Sequence, residues 1–152
     1  MEATEITPGE NPLALEHQVC FALAVAARTV IALYRPVLEP MGLTHPQYLV
    51  MLALWEHEPV SVKDLSGMLQ LEPATLSPLL KRLESAGLLH RNRSTTDERS
   101  LAVALTPEGR ELRKQALEVP PAIVERLGMD VDDLMDLHAR LTTVIAAATS
   151  PR

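Results

Sequence analysis

Apolar residues recur at helical spacing through most of this chain and alternate at strand spacing in one short stretch. From Leu13 to Arg35 the apolar stripe Val19, Cys20, Leu23, Ala27, Val30, Ile31 and Tyr34 predicts a long, substantially buried helix that Pro36 ends. After a turn at Pro40 and Gly42, Thr44 can cap a second helix with Pro46 in its first turn, running through Tyr48, Leu49, Met51, Leu52 and Trp55 until Pro59. Its nearly all-apolar surface predicts a core helix.

Ser61, with Asp64 three residues on, starts a short helix carrying Val62, Leu65, Met68 and Leu69 inward. A break at residues 70–72 precedes Pro73, which suits a helix's first position, and Leu76, Leu79, Leu80 and Leu83 follow before Gly87 stops the run. Two short helices joined by a tight turn read as a helix-turn-helix. Residues 88–93 and 101–105 then form a β-hairpin around a polar, charged tip. Thr106 caps and Pro107 opens another helix, through Leu112 and Leu117, to a break at Pro120 and Pro121. The last helical pattern starts near Asp130 and ends at Ala148, with Val131, Leu134, Leu137, Leu141, Val144 and Ile145 on its stripe.

The fold class is therefore mostly α with a small β-hairpin wing, a winged helix-turn-helix. Residues 1–12 read as a flexible tail and 13–152 as a single unit, with the DNA-binding region at 61–105 flanked by the helical stretches 13–58 and 106–148. The 152 residues, 47% hydrophobic and 3% aromatic, can fill one aliphatic core.

A net charge of −6 taken alone argues against a nucleic-acid partner, but its distribution reverses that. Between Pro73 and Arg99 the positive Lys81, Arg82, Arg91, Arg93 and Arg99 outnumber Glu84, Asp97 and Glu98. The second helix of the motif can present Thr75, Ser77, Lys81 and Arg82 to a major groove, and the hairpin can carry Arg93 and Arg99 to a minor groove. Arg91 and Asp97 complete the candidate DNA-facing set.

The acidic N-terminus and the single cysteine, Cys20, predict a cytoplasmic protein without disulfides. Its longest apolar runs, Cys20 to Ala27 and Tyr48 to Trp55, are eight residues each, so no membrane span is expected against the roughly 18 residues one needs. His17, His57, His90 and His138 lack metal-ligand spacing, and no phosphate loop, nucleophile elbow or paired-carboxylate motif is present. No metal, cofactor or enzyme activity is expected.

Residues 43–112, and above all DERSLAVALTPEG, resemble the MarR family of dimeric regulators. The upstream VCFALAVAARTVIALYRPVLEPMGLT resembles its OhrR subfamily of organic hydroperoxide sensors, so that the likeness runs from Val19 to about Pro120. The resemblance implies a homodimer with intertwined first and last helices, so that 13–58 and 106–148 are dimerisation helices, a palindromic double-stranded operator, and repression relieved when Cys20 is oxidised. It also implies that Arg99 pairs with Asp97 in the wing and that tyrosines attend the thiolate. Tyr34 matches one of these; Ala24 and His45 stand where the subfamily has others, and Tyr48 lies in the same LTHPQY segment.

The redox-sensing set is thus Cys20, Tyr34, His45 and Tyr48. His45 either faces Cys20 of its own or the partner chain, where an imidazolium would favour the thiolate, or is a solvent-facing first-turn residue of the second helix. With no second cysteine, the sulfenic acid would pass to a mixed disulfide with a small cellular thiol or to over-oxidation. Two other readings make different demands. A small apolar or aromatic ligand at the junction of the dimer and DNA-binding regions would leave Cys20 structural, and a thiol peroxidase would turn over with added reductant.

Overall fold

The computed structural model describes residues 11–93 and 101–151. The expected tail at residues 1–12 falls almost wholly outside this range, as do Asp97 and Arg99; of Arg93 only the backbone is described.

The first helix differs from expectation at both ends. A single 3-10 turn covers Leu15–His17, and helix α1 then runs Val19–Leu38 with Pro36 inside it. A proline there leaves the Ala32 carbonyl without its helical donor and crowds it, so Pro36 weakens the last turn of α1, which runs only two residues further. Burial differs as well: within the chain only Leu38 of α1 is buried, while Val19, Phe21, Leu23 and Ile31 are exposed. The segment Val19–Met41, 23 residues at mean hydropathy 1.5, is by length and composition long and apolar enough to cross a membrane. The expectation of no span came from uninterrupted apolar runs, which Arg28 and Arg35 cut short, and length and composition alone do not overturn it. Arg28, near the middle of the helix, would be costly in hydrocarbon.

Helix α2 (His45–His57) is fixed at its start by a reciprocal capping box, with the Gln47 N–H donating to the Thr44 hydroxyl and the Thr44 N–H to the Gln47 side chain. It buries Tyr48, Val50, Met51 and Leu54. A two-residue strand, β1 (Val60–Ser61), leads into α3 (Val62–Leu69), where the Ser61 hydroxyl accepts from the Asp64 N–H at 3.0 Å. Gln70 closes α3 in the left-handed region at φ 52°, and α4 (Pro73–Ser85) follows.

The hairpin is β2 (Leu89–Arg93) and β3 (Leu101–Leu105), in the register Leu89 to Leu105 and Arg91 to Val103. Strand β1 joins the far side of β3, giving a three-stranded sheet of order β1-β3-β2. Helix α5 (Pro107–Ala116) is capped by Thr106 as expected. Pro120 and Pro121 do not break the chain: they sit in the first turn of an unforeseen helix, α6 (Val119–Leu127), where missing N–H groups cost nothing. Helix α7 (Val131–Thr149), capped by Asp130, buries no residue within the chain.

The core gathers Leu38, Met51, Leu54, Leu65, Leu76, Leu80, Leu83, Leu89, Val103 and Leu105, so α2, α3, α4 and the sheet form its body. Among the described residues, both long helices, α1 and α7, leave much of their apolar stripes exposed.

Candidate nucleic-acid interface and sensing cluster

Helix α4 divides by period. Leu76, Leu80 and Leu83 point into the core, so Ala74, Thr75, Ser77, Pro78, Lys81 and Arg82 share the exposed side. The two hydroxyls lie toward the N-terminal half and the two cations toward the C-terminal half. Short polar groups that reach base edges and long cations that reach phosphates are thereby separated along one exposed face.

Arg91 is committed elsewhere. Its guanidinium meets Glu84 Oε1 at 3.3 Å, and its backbone N–H donates to Glu84 Oε2 at 3.1 Å. These bonds from Arg91 hold the Glu84 carboxyl below the usual carboxylate range. The pair ties the wing strand β2 to the end of α4, so Arg91, read from sequence as a DNA-facing cation, is placed in an ion pair within the chain.

Two junctions fix the root of the wing, and of their bonds sequence reasoning foresaw only the Thr106 cap. Thr106 Oγ1 donates to the Gly87 carbonyl at 2.6 Å and accepts from the Gly109 N–H at 3.1 Å. Gly109 is also pressed against Leu88, where a Cβ would overlap the carbonyl oxygen, while its own carbonyl accepts from Trp55 Nε1 at 2.9 Å. Glu58 Oε1 accepts from the Leu105 N–H at 3.2 Å and from the Arg110 guanidinium at 2.8 Å. The TPEG portion of the wing signature carried the signal for Gly109; a lone Glu before a proline carried none for Glu58.

The structure brings three of the four expected redox residues together. The His45 ring meets the edge of Tyr34 at 4.9 Å between centroids, and Tyr48 lies 5.9 Å from Tyr34 and 6.5 Å from His45. Burial raises both tyrosine pKa values, and the charge of an ionised Tyr34 would raise that of Tyr48 further. Each phenol therefore stays a hydrogen-bond donor at neutral pH. Burial lowers the His45 pKa, which favours the neutral imidazole over the expected imidazolium.

Cys20 stands apart. It is exposed in the first turn of α1, fourteen residues before Tyr34 on the same helix, which is about 21 Å of helical rise. No side chain bridges that distance, so Cys20 cannot meet the cluster of its own chain. Next to the cluster, a 410 Å³ cleft between α1 and α2 is lined by Arg28, Ile31, Arg35, Glu39, Leu43 and His45. A second, of 480 Å³, is lined by Tyr48, Leu52, Trp55, Arg113, Leu117 and Pro120.

A helix-turn-helix whose second helix is followed by a sheet-anchored hairpin defines a winged helix-turn-helix transcriptional regulator. The chain belongs to the MarR family, whose defining pattern matches residues 43–101. It is 40% identical over 131 residues to the organic hydroperoxide resistance transcriptional regulator of Bacillus subtilis, covering 86% of this chain and 89% of that one. Among solved structures it is similar to reduced AbfR bound to DNA, at TM-score 0.73 and 31% identity over 90% of this chain and 95% of that one. It is also similar to CouR from Rhodococcus jostii bound to p-coumaroyl-CoA, at TM-score 0.75 and 26% identity over 92% and 99% of the two chains.

Proposed function

We propose that this chain is a cytoplasmic, homodimeric repressor that releases a palindromic operator when an organic hydroperoxide oxidises Cys20. The observation that supports it best is the separation just described. Tyr34, His45 and Tyr48 form a donor cluster without a thiol, and Cys20 is an exposed thiol about 21 Å of helix away. A second copy crossing at α1 supplies each with the other. The exposed apolar stripes of α1 and α7 are the surfaces that such a pairing covers.

The chemistry is a two-electron oxidation. The Cys20 thiolate attacks the hydroperoxide O–O bond, forming the sulfenic acid and releasing an alkoxide that takes a proton to become the alcohol. A small cellular thiol then condenses with the sulfenic acid, forming a mixed disulfide and expelling water. Polar bulk added at the start of α1 shifts the packed dimer and with it the spacing of the two α4 helices. On DNA, Thr75 and Ser77 face bases, Lys81 and Arg82 hold phosphates, and the wing residues Arg93, Asp97 and Arg99 serve the minor groove.

Intact-mass spectrometry after one equivalent of cumene hydroperoxide tests the sensing step. The expected gain is about 16 Da at Cys20, followed by the mass of an added small thiol, with loss of the operator complex in a gel-shift titration. An unchanged mass, or an oxidised protein that keeps full operator affinity, overturns the reading.

The cleft between α1 and α2 favours a second reading. Arg28 and Arg35 bring two cations to a cleft whose only carboxylate among the described residues is Glu39, beside apolar Ile31 and Leu43. That combination suits an apolar ligand bearing an acid group. Operator release by such an acid from Cys20→Ser protein would establish it.

A further inference from the structure

Glu58 closes α2 and faces the root of the wing. Strands β1 and β3 pair antiparallel, Val60 with Val103 and Ser61 with Ala102, a register that sets position 58 opposite Leu105. The chain turns away from the ladder there, since α2 ends at His57 and Pro59 follows. The acceptor for the Leu105 N–H is accordingly the Glu58 side chain, at 3.2 Å, in place of a backbone carbonyl. The same carboxylate oxygen takes the Arg110 guanidinium at 2.8 Å, and the Glu58 side chain is only 19% exposed.

One residue beyond Leu105, the Thr106 hydroxyl donates to the Gly87 carbonyl, where the chain leaves α4. A single carboxylate therefore ties the end of α2, the last residue of the wing strand β3 and the first turn of α5, beside the exit of the recognition helix. The β1-β3 ladder is only two residue pairs long, so on that side of β3 the Glu58 carboxylate is a substantial further tie, while the Arg91–Glu84 pair holds the other strand of the hairpin to α4.

We propose that Glu58 is a positioning residue for DNA binding: it fixes the angle of the wing to α4 and touches no DNA itself. Without the carboxylate, the Leu105 N–H loses its acceptor and β3 loses its tie to α5. The hairpin then samples orientations in which its tip misses the groove. The inference rests on the reading that Arg99, in the wing tip, contacts DNA.

The test is a four-protein cycle of operator titrations at fixed salt: wild type, Glu58→Ala, Arg99→Ala and the double variant, each shown by its melting curve to be folded at the assay temperature. The expected result is that Glu58→Ala weakens binding about tenfold, Arg99→Ala weakens it at least as much, and the double variant binds no worse than Arg99→Ala alone. Glu58→Gln, which keeps an acceptor for Leu105 and loses the charge opposite Arg110, should fall between wild type and Glu58→Ala and also covers a Glu58→Ala chain that fails to fold. Losses that multiply in the double variant, or wild-type affinity for both Glu58 variants, overturn the role given to Glu58. Wild-type affinity of Arg99→Ala overturns instead the wing contact on which that role depends.

Discussion

Gly109 tolerates no side chain, because a Cβ there would occupy the space of the Leu88 carbonyl oxygen while the Gly109 carbonyl is held by Trp55. Gly109→Ala is expected to destabilise the chain by about 2 kcal/mol or more, the scale of overpacking against atoms that cannot move aside. Urea unfolding measures it, and a loss below half that value would mean the α5 turn shifts freely. Gln70 has the opposite character. It holds φ 52° at the end of α3, a conformation that costs an L-residue and not glycine. Gln70→Gly should raise stability by roughly 0.5 kcal/mol, the relief being partly offset by the larger freedom of glycine in the unfolded chain. His45 adds a pH dependence. Its folded pKa lies below the ordinary value of about 6.5, so the unfolded chain binds the proton first as pH falls. Stability is fully present above that value and declines through the lowered folded pKa, where both states become protonated. His45→Gln should flatten the melting temperature against pH in this window; the same slope with and without the imidazole would assign the dependence to other groups.

Elements were legible where one local signal sufficed. Thr44, Ser61, Thr106 and Asp130 each mark a helix start through a side-chain cap, and the alternation of Leu101, Val103 and Leu105 marks β3. The failures have local causes too. Pro120 and Pro121 signal a break or a first turn equally well, and only the packing of Val119 and Ile123 decides for α6. Strand β1 is too short for any period and exists because β3 offers it an edge. At the site, the exposed side of α4 followed from its leucines, whereas the commitment of Arg91 to Glu84 needed the turn at Gly87 to bring the two together. The contrast between Lys81 and Arg91 is measurable. Lys81→Ala should weaken operator and random DNA alike and lower the slope of log affinity against log salt by about one contact. A loss confined to the operator would show that Lys81 reads bases.

At the scale of the molecule, α7 has nineteen residues and buries none of them, and α1 buries only Leu38. We expect a second copy to cover these apolar stripes, which would couple the stability of the chain to dimer assembly. Truncation after Gly128 should yield monomeric or aggregated protein that no longer binds a palindromic site; a soluble, DNA-competent dimer in sedimentation would place the interface elsewhere. The expectation of a buried α1 came from its apolar stripe, but among the described residues its own chain buries only Leu38, and hydrophobic spacing alone does not tell burial within a chain from burial between chains. The separation of assembly from recognition also has a genetic consequence. A chain with a ruined α4 and intact α1 and α7 still finds partners, so when it is co-expressed at equal dose only about a quarter of the dimers carry two working recognition helices. Such alleles should behave as dominant negatives and derepress the target genes in the presence of a wild-type copy. Alleles that truncate α7 should be recessive, since they never enter the pool of dimers.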